Sequence, residues 1–329
     1  MDNTLEGPQP VDGLAGARPG ERWVVRHRLA DGSATDLIGW IAGMEQDFVS
    51  IAMSDARVVR LPMADIIIAR RAPAAAGGPS PLRTTAEELE GYALPGWLEM
   101  SEPLGEWTLR AAHGFTARAN SCLAVGDPGM PIATAAAQIV TFSGSHGIAP
   151  KAQVIAGSHI EAELRAFGWV DASEQTDVLV CRLSDMLGEE LPDPAVQVVE
   201  TLTASWQAAY SRSRPNAVDP AVVSRILDGH PPRAFGSVAD RGELSVAIVR
   251  GHRSGPWLGL GCVWTDPAHR GQGLATKIMV ALGHWAARRG GRYVYLQVSS
   301  GNEQARRHYV DLGFTLHHRV RYLGPVRRR

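Results

Sequence analysis

From Arg22 to Ala69 apolar and polar residues alternate in short runs, and no apolar stripe recurs at helical spacing. The runs Arg22–Leu29, Asp36–Gly43, Phe48–Met53, Arg57–Pro62 and Asp65–Ala69 each have the length and β-branched content of a strand. Turn signals separate them, among them Asp31-Gly32-Ser33 and Met53-Ser54-Asp55-Ala56. Five short strands in so brief a span predict a small all-β barrel of SH3-like type over residues 18–71. The polar, Pro/Gly-rich residues 1–17 before it read as disordered.

Residues 72–83, rich in Pro, Gly and Ala, read as a linker. The pattern over 84–190 predicts strands Glu106–Ala112 and Phe115–Val125, a turn at Gly126–Gly129 and a helix over Pro131–Gly147. Strand Lys151–Gly157, helix His159–Gly168 and strand Thr176–Leu183 follow. Leu191-Pro192-Asp193-Pro194 marks a second boundary. Residues 195–329 begin with helices near Ser205–Arg212 and Pro220–Asp228, then strands Arg233–Ala239, Leu244–Arg250 and Trp257–Trp264. A long helix to about Arg289, strand Tyr293–Val298, helix 302–312 and a strand from Phe314 complete the chain. The order ααβββαβαβ is echoed in the middle segment as ββαβαβ, a repeat of architecture with little residue identity.

Composition narrows the picture. With 45% hydrophobic and 20% charged residues, each segment of the 329-residue chain can bury an ordinary core. The net charge of −1 argues against bulk electrostatic binding to nucleic acid. The start of the chain does not read as a signal peptide and no apolar run reaches membrane-spanning length, so a soluble cytoplasmic protein with no membrane partner is expected. Cys122, Cys181 and Cys262 lie far apart, without a CxxC pair, and read as reduced thiols.

The candidate chemistry sits where the strand ending Val263-Trp264-Thr265 gives way to the long helix. That helix has an apolar stripe at Leu274, Ile278, Leu282 and Trp285, and Gly290-Gly291 stops it. Arg270-Gly271-Gln272-Gly273-Leu274-Ala275, with Thr276 beside it, therefore lies at a helix N-terminus, where the first N–H groups lack partners. Such a nest binds anions, and Gly271 and Gly273 let a ligand approach the backbone. A Walker A loop needs Gly-Lys-Ser/Thr, which is missing here, since Lys277 follows Thr276. A dinucleotide fingerprint fails at its third glycine, where Thr276 stands, and lacks the acidic residue after the next strand.

Two motifs taken together, Val263…Pro267…Arg270-Gly271-x-Gly273-x-Ala275 and Asn302-x-x-Ala305-x-x-x-Tyr309-x-x-Leu312-Gly313-Phe314, resemble the GNAT superfamily of acetyl-CoA-dependent N-acetyltransferases. The resemblance covers residues 198–329. Residues 90–190 look like a degenerate second copy, in which Val125-Gly126-Asp127-Pro128-Gly129-Met130-Pro131 replaces the Arg/Gly loop. The implied fold is α+β: a mixed-sheet GNAT fold with an active C-terminal copy (195–329) and a degenerate middle copy (84–190), behind the SH3-like barrel. The resemblance implies that Val263, Trp264 and Thr265 hold the thioester and pantetheine arm. It gives the pyrophosphate to Arg270, Gly271, Gln272, Gly273, Leu274, Ala275 and Thr276, and contact with the cofactor to Asn302. Tyr309, seven residues on and on the same helical face, would contact the sulfur and protonate the departing thiolate.

The implied partners are acetyl-CoA as donor and an unidentified amine as acceptor, with no metal; a homodimer is left open. A base is not assigned. Asp266 reads as a turn residue before Pro267, and Glu243 as a hairpin residue. The rival readings are a non-catalytic acyl-CoA sensor, and a scaffold whose barrel recruits a protein or RNA.

Overall fold

The computed structural model describes residues 14, 16–18, 21–53, 57–72, 80–188, 190–214, 219–240 and 244–326. The expected disorder of residues 1–17 falls mostly outside them, as do Glu243 and most of the 72–83 linker. Leu14, inside that stretch, is buried in the core of the N-terminal sheet.

The N-terminal unit has strands β1 (Arg22–Arg28), β2 (Ala34–Met44), β3 (Phe48–Met53), β4 (Val58–Pro62) and β5 (Ile66–Arg71). Alternation decides its inner face: Trp23 and Val25 of β1 meet Ile41, Val49, Ile51, Leu61 and Ile66. The strand order is β4-β3-β2-β1-β5, antiparallel throughout. Where the pattern predicts an SH3-like barrel, the five strands form an open sheet. β1 pairs on both sides, with β2 and β5, which leaves β4 and β5 as edges among the described residues. Arg60, Pro62, Arg70 and Arg71 on those strands disfavour further pairing.

The rest of the chain builds one twelve-stranded mixed sheet. Its first part runs α1 (Ala86–Ala93), β6 (Met100–Leu104), β7 (Trp107–Ala111), β8 (Cys122–Leu123), α2 (Ile132–Ser145), β9 (Ala152–Ile155), α3 (His159–Ala166), β10 (Trp169–Asp171), β11 (Thr176–Arg182) and α4 (Leu183–Leu187). Then come β12 (Gln197–Val199), α5 (Ala204–Ser213), α6 (Pro220–Leu227), β13 (Arg233–Ala239), β14 (Ser245–Ser254), β15 (Trp257–Thr265), α7 (Leu274–Ala287), β16 (Tyr293–Ser299), α8 (Glu303–Asp311) and β17 (Thr315–Pro325). The order across the sheet is β12-β13-β14-β15-β16-β11-β17-β9-β8-β7-β6, with β10 also on β17. Each half holds one helix-linked parallel pair, β8/β9 across α2 and β15/β16 across α7.

The halves exchange strands. β11, from the first, lies between β16 and β17 of the second, and β17 in turn pairs with β9 and β10. Leu179 and Cys181 of β11 consequently pack in the core under α7. Asp177 of β11, fully buried, ion-pairs with Arg306 at 2.9 Å and accepts from Arg319 Nε at 3.0 Å and Ser300 Oγ at 2.7 Å. The boundary read at 191–194 thus separates stretches of sequence that share one sheet.

β6, β10, β12 and α4 add to the sequence reading, and two further differences have a visible cause. The strand expected over Phe115–Val125 is mostly a turn with a 3₁₀ segment at Arg118–Asn120, and only Cys122–Leu123 pair as a strand. Asn120 causes this: its side-chain oxygen accepts from the Ala112 and Gly114 N–H groups at 2.8 and 2.9 Å and folds the chain back. α1, not predicted, is set by a capping box between Thr85 and Glu88. Among the described residues no helix is long and apolar enough to cross a membrane.

Candidate active site

β15 and β16 pair in parallel from Trp257 opposite Tyr293 to Leu260 opposite Leu296, and then part. The cause lies in β15. Its ladder with β14 slips between Ile248 and Arg250, and Cys262 adopts a φ of 55°, left-handed for a residue with a side chain. The bulge turns Cys262 and Trp264 toward the core under α5 and α6, and Val263 toward the core under α7. A cleft of about 990 Å³ opens between the parted strands.

The start of α7 forms one end of the cleft. Asp266 caps the turn before it, accepting from the Ala268 N–H at 3.0 Å, so this carboxylate is used structurally. Gly271 and Gly273 have φ of 75° and 68°, and a Cβ at either would meet nothing within 4 Å. The glycines are there for the backbone angle, and they leave the space above it open. Gly273 is the N-cap and offers no side chain to the first turn. The first return bond runs from Lys277 N to Gly273 O, so the N–H groups of Leu274, Ala275 and Thr276 have no helical partner. Lys277 itself pairs with Asp193 at 2.9 Å, away from this nest. Arg270 is exposed and tethered by Nε to Thr265 O at 3.3 Å.

α8 forms the other wall. Asn302 caps it, its side chain accepting from Ala305 N at 3.1 Å. Tyr309, two turns on, packs near Phe314 with ring centres 6.0 Å apart. It is 7% exposed, lines the cleft, and burial pushes its hydroxyl up to about 12. His308 reaches Thr276 Oγ1 at 3.2 Å and ties α8 to the first turn of α7.

Val263, Trp264, Thr265, the whole run Arg270–Thr276, Asn302 and Tyr309 all line this single cleft. Sequence reasoning did not find His308, Gln297, Tyr210, Arg214 and Cys262, which line it too. Only His308 carried a local signal, as the neighbour of Tyr309. The others arrive through strand splay and helix packing. Burial raises the Cys262 thiol, which makes it a poor nucleophile.

Residues 85–323 match the family described as probable histone acetyltransferase Rv0428c C-terminal. A GCN5-related N-acetyltransferase from Kribbella flavida superposes with a TM-score of 0.53 at 17% identity, over 77% of this chain and 98% of that one. A tandem GNAT protein from the clavulanic acid biosynthesis pathway gives a TM-score of 0.48 at 15% identity, over 62% of this chain and 74% of that one. No curated protein sequence matches.

Proposed function

The chain belongs to the family of probable histone acetyltransferases named for the Rv0428c C-terminal region and is an N-acetyltransferase; from that premise we propose that the β15/β16 cleft carries acetyl-CoA and passes its acetyl group directly to a primary amine. One observation carries the reading. The parted strands join an uncapped, glycine-lined helix start at one end to a buried tyrosine hydroxyl at the other.

The residues fit the donor part by part. The free N–H groups of Leu274, Ala275 and Thr276, at the positive end of α7, suit a pyrophosphate, and Arg270 adds a charge-assisted contact. Gly271, Gln272 and Gly273 allow close approach. The backbone of Val263, Trp264 and Thr265, past the last pair with β16, suits the amide groups of the pantetheine arm, and a backbone N–H of Val263 would polarise the thioester carbonyl. Asn302, besides capping α8, borders the same arm. The amine nitrogen bonds to the carbonyl carbon as the C–S bond breaks, and the electron pair leaves with sulfur. Tyr309 serves as the acid, its hydroxyl donating to that sulfur as charge builds, and the proton shed by the amine passes to solvent water in the open cleft.

Direct transfer is favoured over an acetyl-enzyme because the one thiol in the cleft, Cys262, is held protonated by burial. Small amines, peptide N-termini and protein lysines are all acceptors at this level of the reading. The test is two-substrate kinetics together with mass spectrometry after incubation with acetyl-CoA alone. Intersecting initial-rate lines and an unmodified protein are expected. Parallel lines and an acetylated Cys262 would overturn direct transfer.

A further inference from the structure

The cleft has a second face, turned away from α7 and α8, and that face is cationic. Cys262 and Trp264 turn to it, beside Trp97, Phe115 and Tyr210. Arg118 lies over the Trp97 ring at 4.7 Å, and Arg250 over the same ring at 5.4 Å. Arg118 also donates to Gln297, which stands on β16 just past the point of parting. Arg214, at the end of α5, lines the cleft directly.

Asp228, the carboxylate whose charge reaches Arg250, is itself paired with Arg233 at 2.7 Å. Arg250 is 2% exposed; its Nε donates to Leu227 O at 2.9 Å and its Nη1 to Gly96 O at 3.0 Å, while Nη2 has no partner. It stands opposite Gly261 in the β14/β15 ladder, directly behind the cleft wall. Arg118 Nε is likewise buried and unpartnered. Among the described residues none of Arg118, Arg214 and Arg250 forms an ion pair with a carboxylate. Glu90 meets Gln297 from the far side, but Gln153 at 2.6 Å, His318 at 3.1 Å and Gln297 at 3.2 Å occupy its oxygens. All three guanidinium groups act on the Cys262 thiol, opposing the burial that raises it.

A cationic wall has two effects on an incoming amine. It disfavours the ammonium form, which helps present a neutral nucleophile. It also repels a simple cation, so the acceptor must bring negative charge of its own. We propose that the acceptor is an amine with a carboxylate close to its nitrogen, an amino-acid-like zwitterion, whose carboxylate is received by Arg214 on the cleft wall, over the charges of Arg118 and Arg250 behind it. The inference rests on the acetyltransferase reading of the same cleft. A lysine-rich peptide is the acceptor this wall suits least.

The test is CoA release by the full chain at saturating acetyl-CoA, across matched amines: free amino acids, their carboxamides, the corresponding decarboxylated amines and a lysine-rich peptide. The free acids are expected to exceed their amides in kcat/KM by tenfold or more. Arg214→Met and Arg118→Met should bring that ratio toward one, while calorimetric affinity for acetyl-CoA stays within twofold. Should Arg118→Met fail to fold, Arg118→Lys and Arg214→Met carry the comparison. Amides or the basic peptide reacting as well as the acids, a ratio that survives in the variants, or no release from any amine would overturn the inference. Failure of the parent reading shows separately, as absence of acetyl-CoA binding.

Discussion

Tyr309→Phe removes one hydroxyl and keeps the ring that packs near Phe314, so the fold and the nest at α7 should survive intact. The size of the kinetic effect follows from burial. The hydroxyl stands at about 12, whereas a thiol titrates near 8.5. Complete proton transfer from tyrosine to thiolate is therefore uphill by about 5 kcal/mol. The hydroxyl acts chiefly as a hydrogen-bond donor to sulfur as charge builds, and the loss should lie at the lower end of the range for general acids, about 10²-fold in kcat. Tyr309 also stays protonated through pH 10, so the variant should keep the shape of the wild-type pH profile at a lower level. The assay follows loss of thioester absorbance at saturating acetyl-CoA from pH 6 to 10, with calorimetry on both proteins. A loss under threefold at unchanged acetyl-CoA affinity would refute the role. So would a wild-type basic limb near pH 9 that the variant lacks.

Gly273→Ala forces a side chain into a φ of 68°, at a cost of about 1–2 kcal/mol, and calorimetry should show acetyl-CoA affinity down about tenfold. Gly32→Ala, at a φ of 80° in the N-terminal sheet, should leave that affinity unchanged. His252 is driven down to about 3 by burial and then by Arg250, so its neutral ring stabilises the fold fully above about pH 6.5 and progressively less as pH falls toward 3. Denaturant titrations should therefore find about 2–3 kcal/mol less stability at pH 4.5 than at pH 7 from this group, and His252→Leu should flatten that slope. Asp177→Ala strips Arg306 and Arg319 of their shared carboxylate and should cost about 3 kcal/mol, read as a lower denaturation midpoint.

The parts of the site that the sequence reveals are the local ones. The glycines at 271 and 273 before the helix start and the two-turn spacing from Asn302 to Tyr309 are properties of neighbouring residues, and they fall where the spacing places them. The strand exchange is not local: β11 meets β17 through residues about 140 positions apart, and no periodicity encodes that pairing. The Cys262 bulge escapes for a related reason: Gly261 stands beside it, but the left-handed angle falls on Cys262 itself and arises from the slipped ladder with β14. Phe115–Val125 misleads because its apolar residues mimic a strand while Asn120 directs a turn. The Thr85…Glu88 capping box that starts α1 is a local signal of the same kind.

The central claim is that acetyl-CoA is held at the start of α7. Isothermal titration of acetyl-CoA into the full chain, beside an Arg270→Ala, Gly273→Glu double variant, tests it most directly. Micromolar binding to the intact protein and its loss in the equally folded variant are predicted. Equal binding by both, or none by the folded wild type, would contradict the account.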